Sequence, residues 1–199
     1  ERLAAGVLFF AWNPLVLVET AANGHNDTTM LAGMLLALWL ALRGRRLAGA
    51  VALAGATLSK FMGGLLFPLW LGAELAERER PLLRRLRSAA LAALAFGGTV
   101  ALGWLPFWSG GAFTWAGFRL SLFTTSWPLA AYVALQTWLA PVRAAALAQG
   151  LAWGAVAAFT LWRAWRVASG RSDLARASYD VMFFYLAFAC AWWQPWYLV

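Results

Sequence analysis

Apolar runs close to bilayer length recur along this chain, and the short segments between them carry most of its arginines. The hydrocarbon core of a bilayer is about 30 Å thick and asks for about 20 apolar residues per helical crossing. Hydrophobic residues make up 63% of the sequence and charged residues 12%, a balance that suits lipid better than water. A membrane barrel would alternate apolar and polar residues, whereas Leu31 to Leu42 and Ala89 to Leu105 are apolar on every face. Hydrocarbon offers no hydrogen-bond partner to the backbone, so the spans must be helices. The predicted fold is all-α, a polytopic transmembrane helical bundle forming a single domain over residues 1–199.

Breaks in hydrophobicity predict about seven spans: Leu3 to Val18, Thr28 to Leu42, Leu47 to Leu58, Phe61 to Leu75, Ser88 to Phe107, Val142 to Trp162 and Val181 to Leu198. The positive-inside rule then sets the orientation, because thirteen of the sixteen basic residues fall in loops that can share the cytoplasmic side and only Lys60, Arg119 and Arg143 fall outside. This also explains the net charge of +8 without a nucleic-acid partner. Leu47 to Leu75 is flanked by basic loops at both ends, so it should be two short helices turning near Ser59-Lys60. That turn carries Lys60 to the outer face, where the Glu19 to Asp27 segment also emerges.

Between Phe107 and Pro141 the sequence is too polar and broken for a span and reads as an outer interfacial segment, with a short re-entrant helix from Pro128 to Leu139. Its tryptophans and phenylalanines suit the headgroup boundary. The last span ends in Trp192-Trp-Gln-Pro-Trp-Tyr, where a proline opens the helix and exposes carbonyls beside aromatic rings. Trp192 and Trp193 are equally well read as belt anchors. The single cysteine, Cys190, lies within a predicted span and builds neither a disulfide framework nor a metal site. No cleavable signal is evident. The start at Glu1 without methionine, and the end within an apolar run, read as a piece of a longer protein with spans missing at both ends.

Chemistry concentrates in Glu19-Thr-Ala-Ala-Asn-Gly-His-Asn-Asp27, which holds the one histidine of the chain. Ionisable groups beside membrane spans cost several kcal/mol in hydrocarbon and mark functional sites. Asn26 or Asp27 can cap the following helix, capping being the favoured reading for Asn26. One cap needs one acceptor, which leaves Glu19, His25 and Asp27 to be explained. A carboxylate at a membrane surface can act as a general base, bind a cation or hold a sugar hydroxyl. The sequence specifies no cofactor. Glu19 and Asp27 are too few for a closed metal site, so a divalent cation there would need water, phosphate or further residues. Lys60, an ammonium between two apolar half-helices, either pairs with an anion such as a lipid phosphate or snorkels to the headgroups.

Trp12-Asn-Pro-Leu, Glu19, Asn23-Gly-His-Asn-Asp27, Leu58-Ser-Lys-Phe, Pro68 and Gln194-Pro-Trp-Tyr, in that order, resemble the integral-membrane glycosyltransferases of the GT-C class. The closest likeness is to bacterial polyprenyl-phosphate-mannose-dependent α-mannosyltransferases. The resemblance implies an undecaprenyl- or decaprenyl-phosphate sugar donor, mannose first among the sugars, and a lipid or glycan acceptor. It also implies inversion at the anomeric carbon and an active site on the extracytoplasmic side of a cell membrane, among membrane lipids. Asp27, His25 and Glu19 would be the catalytic set. Asn23, Asn26, Lys60, Ser126, Gln194, Trp196 and Tyr197 would bind substrate, with Lys60 near the phosphate. Such enzymes usually carry an essential acidic residue in their first outer loop, which this sequence lacks, so the implied base can also lie upstream and leave Asp27 a supporting role.

Two other classes compete. A secondary transporter or channel would use Glu19, His25 and Asp27 for protons or cations, but should place ionisable groups near the midplane of a repeated fold; no internal repeat is visible. A non-catalytic subunit would bind the lipid carrier or a partner without reaction.

Overall fold

The structure is a computed structural model that describes residues 2–22, 24, 26–77, 79–108, 123, 124 and 126–191, without the side chains of Glu19 and Thr20. Among these residues the regular structure is entirely helical. Helix α1 (Arg2–Ala11) stops before Asn13, whose side chain accepts from the Leu15 N–H at 2.9 Å and starts α2 (Pro14–Leu17). A π-helical turn, Val18–Ala22, follows. The expected span from Leu3 to Val18 is therefore two helices: Asn13 caps and Pro14 occupies a first-turn position that needs no N–H.

Helices α3 (Asp27–Leu42) and α4 (Arg46–Ser59) form an antiparallel hairpin. Gly44 makes its turn at φ 74°, a left-handed conformation that favours glycine, and the Arg45 N–H closes on the Leu40 carbonyl at 2.8 Å. After α4 the chain breaks at Lys60, forms a 3-10 turn (Phe61–Leu66) and returns as α5 (Phe67–Leu75). The return is tight. A methyl on Gly63 would stand 3.0 Å from backbone atoms of Ala56 and Thr57, and Gly49 faces the Trp70 ring. The turn expected at Ser59-Lys60 is thus present, and it brings Arg46 beside Glu74 and Glu77 at the opposite end.

Helix α6 (Leu82–Trp104) continues through a 3-10 turn to Phe107. Helix α7 (Trp127–Leu135) is capped by Ser126 and overlaps the short helix expected from Pro128 to Leu139, starting one residue earlier and ending four residues sooner. Helix α8 (Pro141–Ala168) is the longest, and α9 (Leu174–Phe184) packs back on it and ends in a π-helical turn, Tyr185–Ala189. Cys190 is buried in extended conformation. The helical run through Tyr185–Ala189 thus ends before Cys190, and the expected span end at Leu198 lies outside the described residues. Methionine and small residues make the core: Met30, Met34 and Ala37 of α3 meet Leu53 and Ala56 of α4, Leu69 and Trp70 of α5, and Val156 and Val167 of α8.

Two described helices, Leu82–Phe107 and Pro141–Ala168, are long and apolar enough to cross a membrane. Only 6% and 22% of their apolar windows are buried, so neither resembles the core helix of a soluble protein. The helices Arg2–Ala11, Asp27–Leu42, Arg46–Ser59 and Phe61–Leu75 are apolar but shorter. At 1.5 Å per residue α4 spans about 21 Å, less than the hydrocarbon thickness, so these lengths do not amount to seven straight crossings.

Arginines gather at one end. Arg46 bridges Glu74 and Glu77, Arg80 holds Glu77 at 2.6 Å, and Arg85 donates to the Leu75 carbonyl at 3.0 Å. Arg163, which is buried, pairs with Asp180 and donates to Ser172, while Arg176 reaches the second Asp180 oxygen at 3.1 Å. Arg43 lies over Trp39 and Arg171 over Trp165, as expected where long basic side chains reach from an apolar helix toward headgroups.

Candidate functional site

The opposite end of the α3–α4 hairpin holds the polar pair. Asp27 is the first residue of α3 and Lys60 directly follows the last residue of α4, with an extended backbone at φ −157°. Close packing of small residues lets them meet: a Cβ on Gly33 would touch the Ala56 Cβ at 3.0 Å, so the two backbones approach closely within two turns of the pair. The Lys60 ammonium is ion-paired with Asp27 Oδ1, and the two side chains are 20% and 21% exposed. Antiparallel packing supports the pairing. The carboxylate sits at the N-terminal, positive end of α3, and the ammonium at the C-terminal, negative end of α4.

Asn26 does not cap α3. Its backbone, at φ −87° and ψ 9°, lacks the extended geometry of a capping residue, and its side chain makes no cap hydrogen bond. The amide Nδ2 instead donates to the carbonyl of Ser59, one residue before Lys60. Side by side, the Asn26–Ser59 and Asp27–Lys60 contacts clamp the start of α3 to the end of α4. The clamp uses one oxygen of Asp27. Oδ2 is buried and has no hydrogen-bond partner among the described residues, which is costly unless something with an O–H or a positive charge comes to it.

An aromatic path runs from the turn into the bundle. Phe61 lies 6.0 Å from Trp153 of α8, and Trp153 lies 5.8 Å from Tyr185. Phe61 belongs to the Leu58-Ser-Lys-Phe motif, but nothing in the sequence marks Trp153 or Tyr185 as its neighbours. Ser126 caps α7; its hydroxyl donates to the Ala191 carbonyl at 3.1 Å and accepts from the Leu129 N–H. The Thr124 N–H also bonds Ala191. This ties the segment before α7 to the start of the Gln194-Pro-Trp-Tyr stretch.

Of the residues marked by the sequence, Asp27, Asn26 and Lys60 come together, and Ser126 holds a separate position. His25, Asn23, Gln194, Trp196 and Tyr197 lie outside the described residues, as does the side chain of Glu19. Among the described residues no group of three or more His, Cys, Asp or Glu side chains is arranged to hold a metal ion. The clamp therefore offers one cation–carboxylate pair with an open carboxylate oxygen, bordered by aromatic rings. Chemically it can receive an anion at the ammonium and a hydroxyl at the carboxylate.

Residues 2–76 match the family model for the N-terminal domain of the alpha-(1->6)-mannopyranosyltransferase (MptA/B) family. The match covers a little over a third of the chain and takes in Glu19, the Asn23 to Asp27 motif and Lys60. It supports a mannosyltransferase, and so a glycosyltransferase, which would act on a sugar donor and an acceptor. Ser126 and Gln194 lie beyond the matched residues. No curated protein and no solved structure matches the chain.

Proposed function

We propose that this chain is a multi-pass membrane domain of a GT-C-type glycosyltransferase, one that moves mannose from a polyprenyl-phosphate carrier to a lipid or glycan acceptor at the extracytoplasmic face. The observation that carries the reading is the Asp27–Lys60 pair, which lies within the mannosyltransferase match and at the opposite end of the α3–α4 hairpin from Arg46. A phosphate leaving group needs a nearby cation, and an attacking hydroxyl needs a proton acceptor. Lys60 and Asp27 are those two chemistries, side by side. In the proposed reaction a carboxylate takes the proton of the acceptor hydroxyl as its oxygen bonds the anomeric carbon. The bond from that carbon to the phosphate oxygen breaks, its electron pair leaves with the lipid phosphate, and the configuration inverts. His25 and Glu19 join Asp27 around the sugar. Asn23, Asn26, Ser126, Gln194, Trp196 and Tyr197 complete the substrate contacts. A transporter would instead want its charged pair near the midplane, and this pair joins the termini of two helices.

The test uses the full-length protein reconstituted with radiolabelled polyprenyl-phosphate-mannose and a mixture of membrane-lipid acceptors. Asp27→Asn should lower transfer by about 10²–10⁴-fold, the usual contribution of a general base, and Lys60→Ala should also lower it sharply, with folding intact in both. Absence of transfer from any polyprenyl-phosphate sugar, together with ion or proton flux that Asp27→Asn abolishes, would replace the enzyme by the transporter.

A further inference from the structure

Resting on that reading, we propose that the ion pair is an exchange latch: Lys60 is held by Asp27 until the phosphate of an incoming lipid donor takes the ammonium, and this exchange releases Asp27 Oδ1 for a hydroxyl. Three observations lead there. The two side chains are about four-fifths shielded, so the ammonium and carboxylate hold each other at close range with little water between them. The pair uses one carboxylate oxygen, and Oδ2 is buried without a hydrogen-bond partner among the described residues. Arg46, Arg80, Arg85, Arg163, Arg166 and Arg176 are engaged by carboxylates or carbonyls at the opposite end.

Charge counting favours exchange over a shared hold. A phosphodiester donor brings one negative charge to the Asp27–Lys60 pair, which holds one carboxylate and one ammonium. Two anions on a single cation leave a net negative charge in a shielded place, and the anions repel each other. The phosphate therefore gains what Asp27 gives up, and binding of the donor and pairing of Asp27 are linked with opposite sign. Reciprocity follows: whatever strengthens the pair weakens the donor, and removing the charge of Asp27 strengthens it.

The experiment measures binding of undecaprenyl phosphate, without acceptor, to the full-length protein in lipid nanodiscs, for wild type, Asp27→Asn, Lys60→Met and the double variant. The latch requires Asp27→Asn to bind about tenfold more tightly than wild type, within the usual range of such couplings, while its mannosyl transfer falls. Lys60→Met should bind more weakly. In the Lys60→Met background Asp27→Asn should tighten binding much less, because only the repulsion between carboxylate and phosphate is left to relieve and no ammonium is contested. Equal tightening in both backgrounds would mean general repulsion and would overturn the latch, as would weaker or unchanged binding to Asp27→Asn. Infrared difference spectra of wild-type protein with isotope-labelled aspartate read the same event without a substitution. An aspartate carboxylate stretch should shift on addition of undecaprenyl phosphate and not of undecaprenol, and absence of that shift overturns the latch. A wild type that binds and transfers but shows no exchange overturns the latch alone. A wild type that neither binds the lipid phosphate nor transfers mannose overturns the transferase reading with it.

Discussion

Gly63 and Gly64 stand next to each other in the 3-10 turn that follows Lys60, yet a methyl group added to them would meet different things. On Gly63 it would stand 3.0 Å from the Ala56 carbonyl carbon and the Thr57 nitrogen, both main-chain atoms of α4, and 3.3 Å from the Ala56 Cβ. Carbon contacts are best at about 3.5–4.0 Å, so the turn would have to move off α4 by about 0.5–1 Å. Overpacking of this kind costs about 1–3 kcal/mol, and the stiffer unfolded chain of alanine returns about 0.4–1 kcal/mol. Gly63→Ala should therefore destabilise by about 0.5–2 kcal/mol. On Gly64 the same methyl meets the Thr57 Cγ2 at 3.2 Å, the tip of a side chain that can give by a few tenths of an ångström. Gly64→Ala should then fall within about 0.5 kcal/mol of wild type. Reversible unfolding of the full-length protein in detergent micelles, followed by far-ultraviolet circular dichroism, measures both. The reasoning is refuted by a neutral Gly63→Ala, or by a Gly64→Ala as damaging as its neighbour. Either result would mean that the chain does not double back onto α4 immediately after Lys60.

Two further predictions use the same unfolding assay. Gly72→Ala should be the most damaging of the glycine variants named here, because its methyl would stand 2.5 Å from the Ala164 carbonyl oxygen where α5 crosses α8, whereas Gly97→Ala on α6 meets nothing within 4 Å and should gain up to about 1 kcal/mol from helix propensity. Arg163→Met leaves Asp180 with Arg176 as its remaining ion-pair partner and should cost about 2–4 kcal/mol, somewhat under the usual loss for breaking a buried pair, and adding Asp180→Leu should restore most of it.

Much of the architecture was written into the hydrophobic breaks. Basic loops on both sides of Leu47 to Leu75 demanded a turn at its middle, and the turn occurs at Lys60, with Asp27 against it. Asn13-Pro14 announced a break and makes one. Gly170, at φ 71°, ends α8 as Gly44 ends α3, each followed by an N–H closing five residues back at 2.8 Å. What escaped the sequence is set by tertiary contacts. Asn26 is a good capping residue by type, but the carbonyl of Ser59, thirty-three positions away, claims its amide. Arg84 and Arg163 were read as loop residues because charge was taken to mark span ends. Helix α6 starts at Leu82 and α8 runs to Ala168, with basic groups carried on helical turns and Arg163 buried against Asp180. Trp153 and Tyr185 looked like ordinary span residues; their ring contacts toward Phe61 depend on how α8 and α9 pack against the turn.

The division of charge between the two ends bears on how Asp27 can part from Lys60. At the arginine end two carboxylates are each held by two basic groups: Glu77 by Arg46 and Arg80, and Asp180 by Arg163 and Arg176. Removing one arginine from either leaves another in place. At the other end Asp27 has one ion-pair partner among the described residues, and that partner sits at a chain break rather than inside a helix. A lone pair at such a position is a poor staple but a workable site of exchange. Losing Lys60 to a phosphate does not leave the carboxylate without support, because Asp27 is the first residue of α3 and keeps the positive end of that helix dipole beside it. The ammonium, for its part, extends from the carbonyl end of α4 on a flexible stem and can turn toward an arriving anion without moving either helix. The Asn26–Ser59 bond holds the two helix ends together meanwhile. Retention of fold and exchange of charge are therefore assigned to different side chains, and Asn26→Ala should loosen the first while Asp27→Asn alters the second.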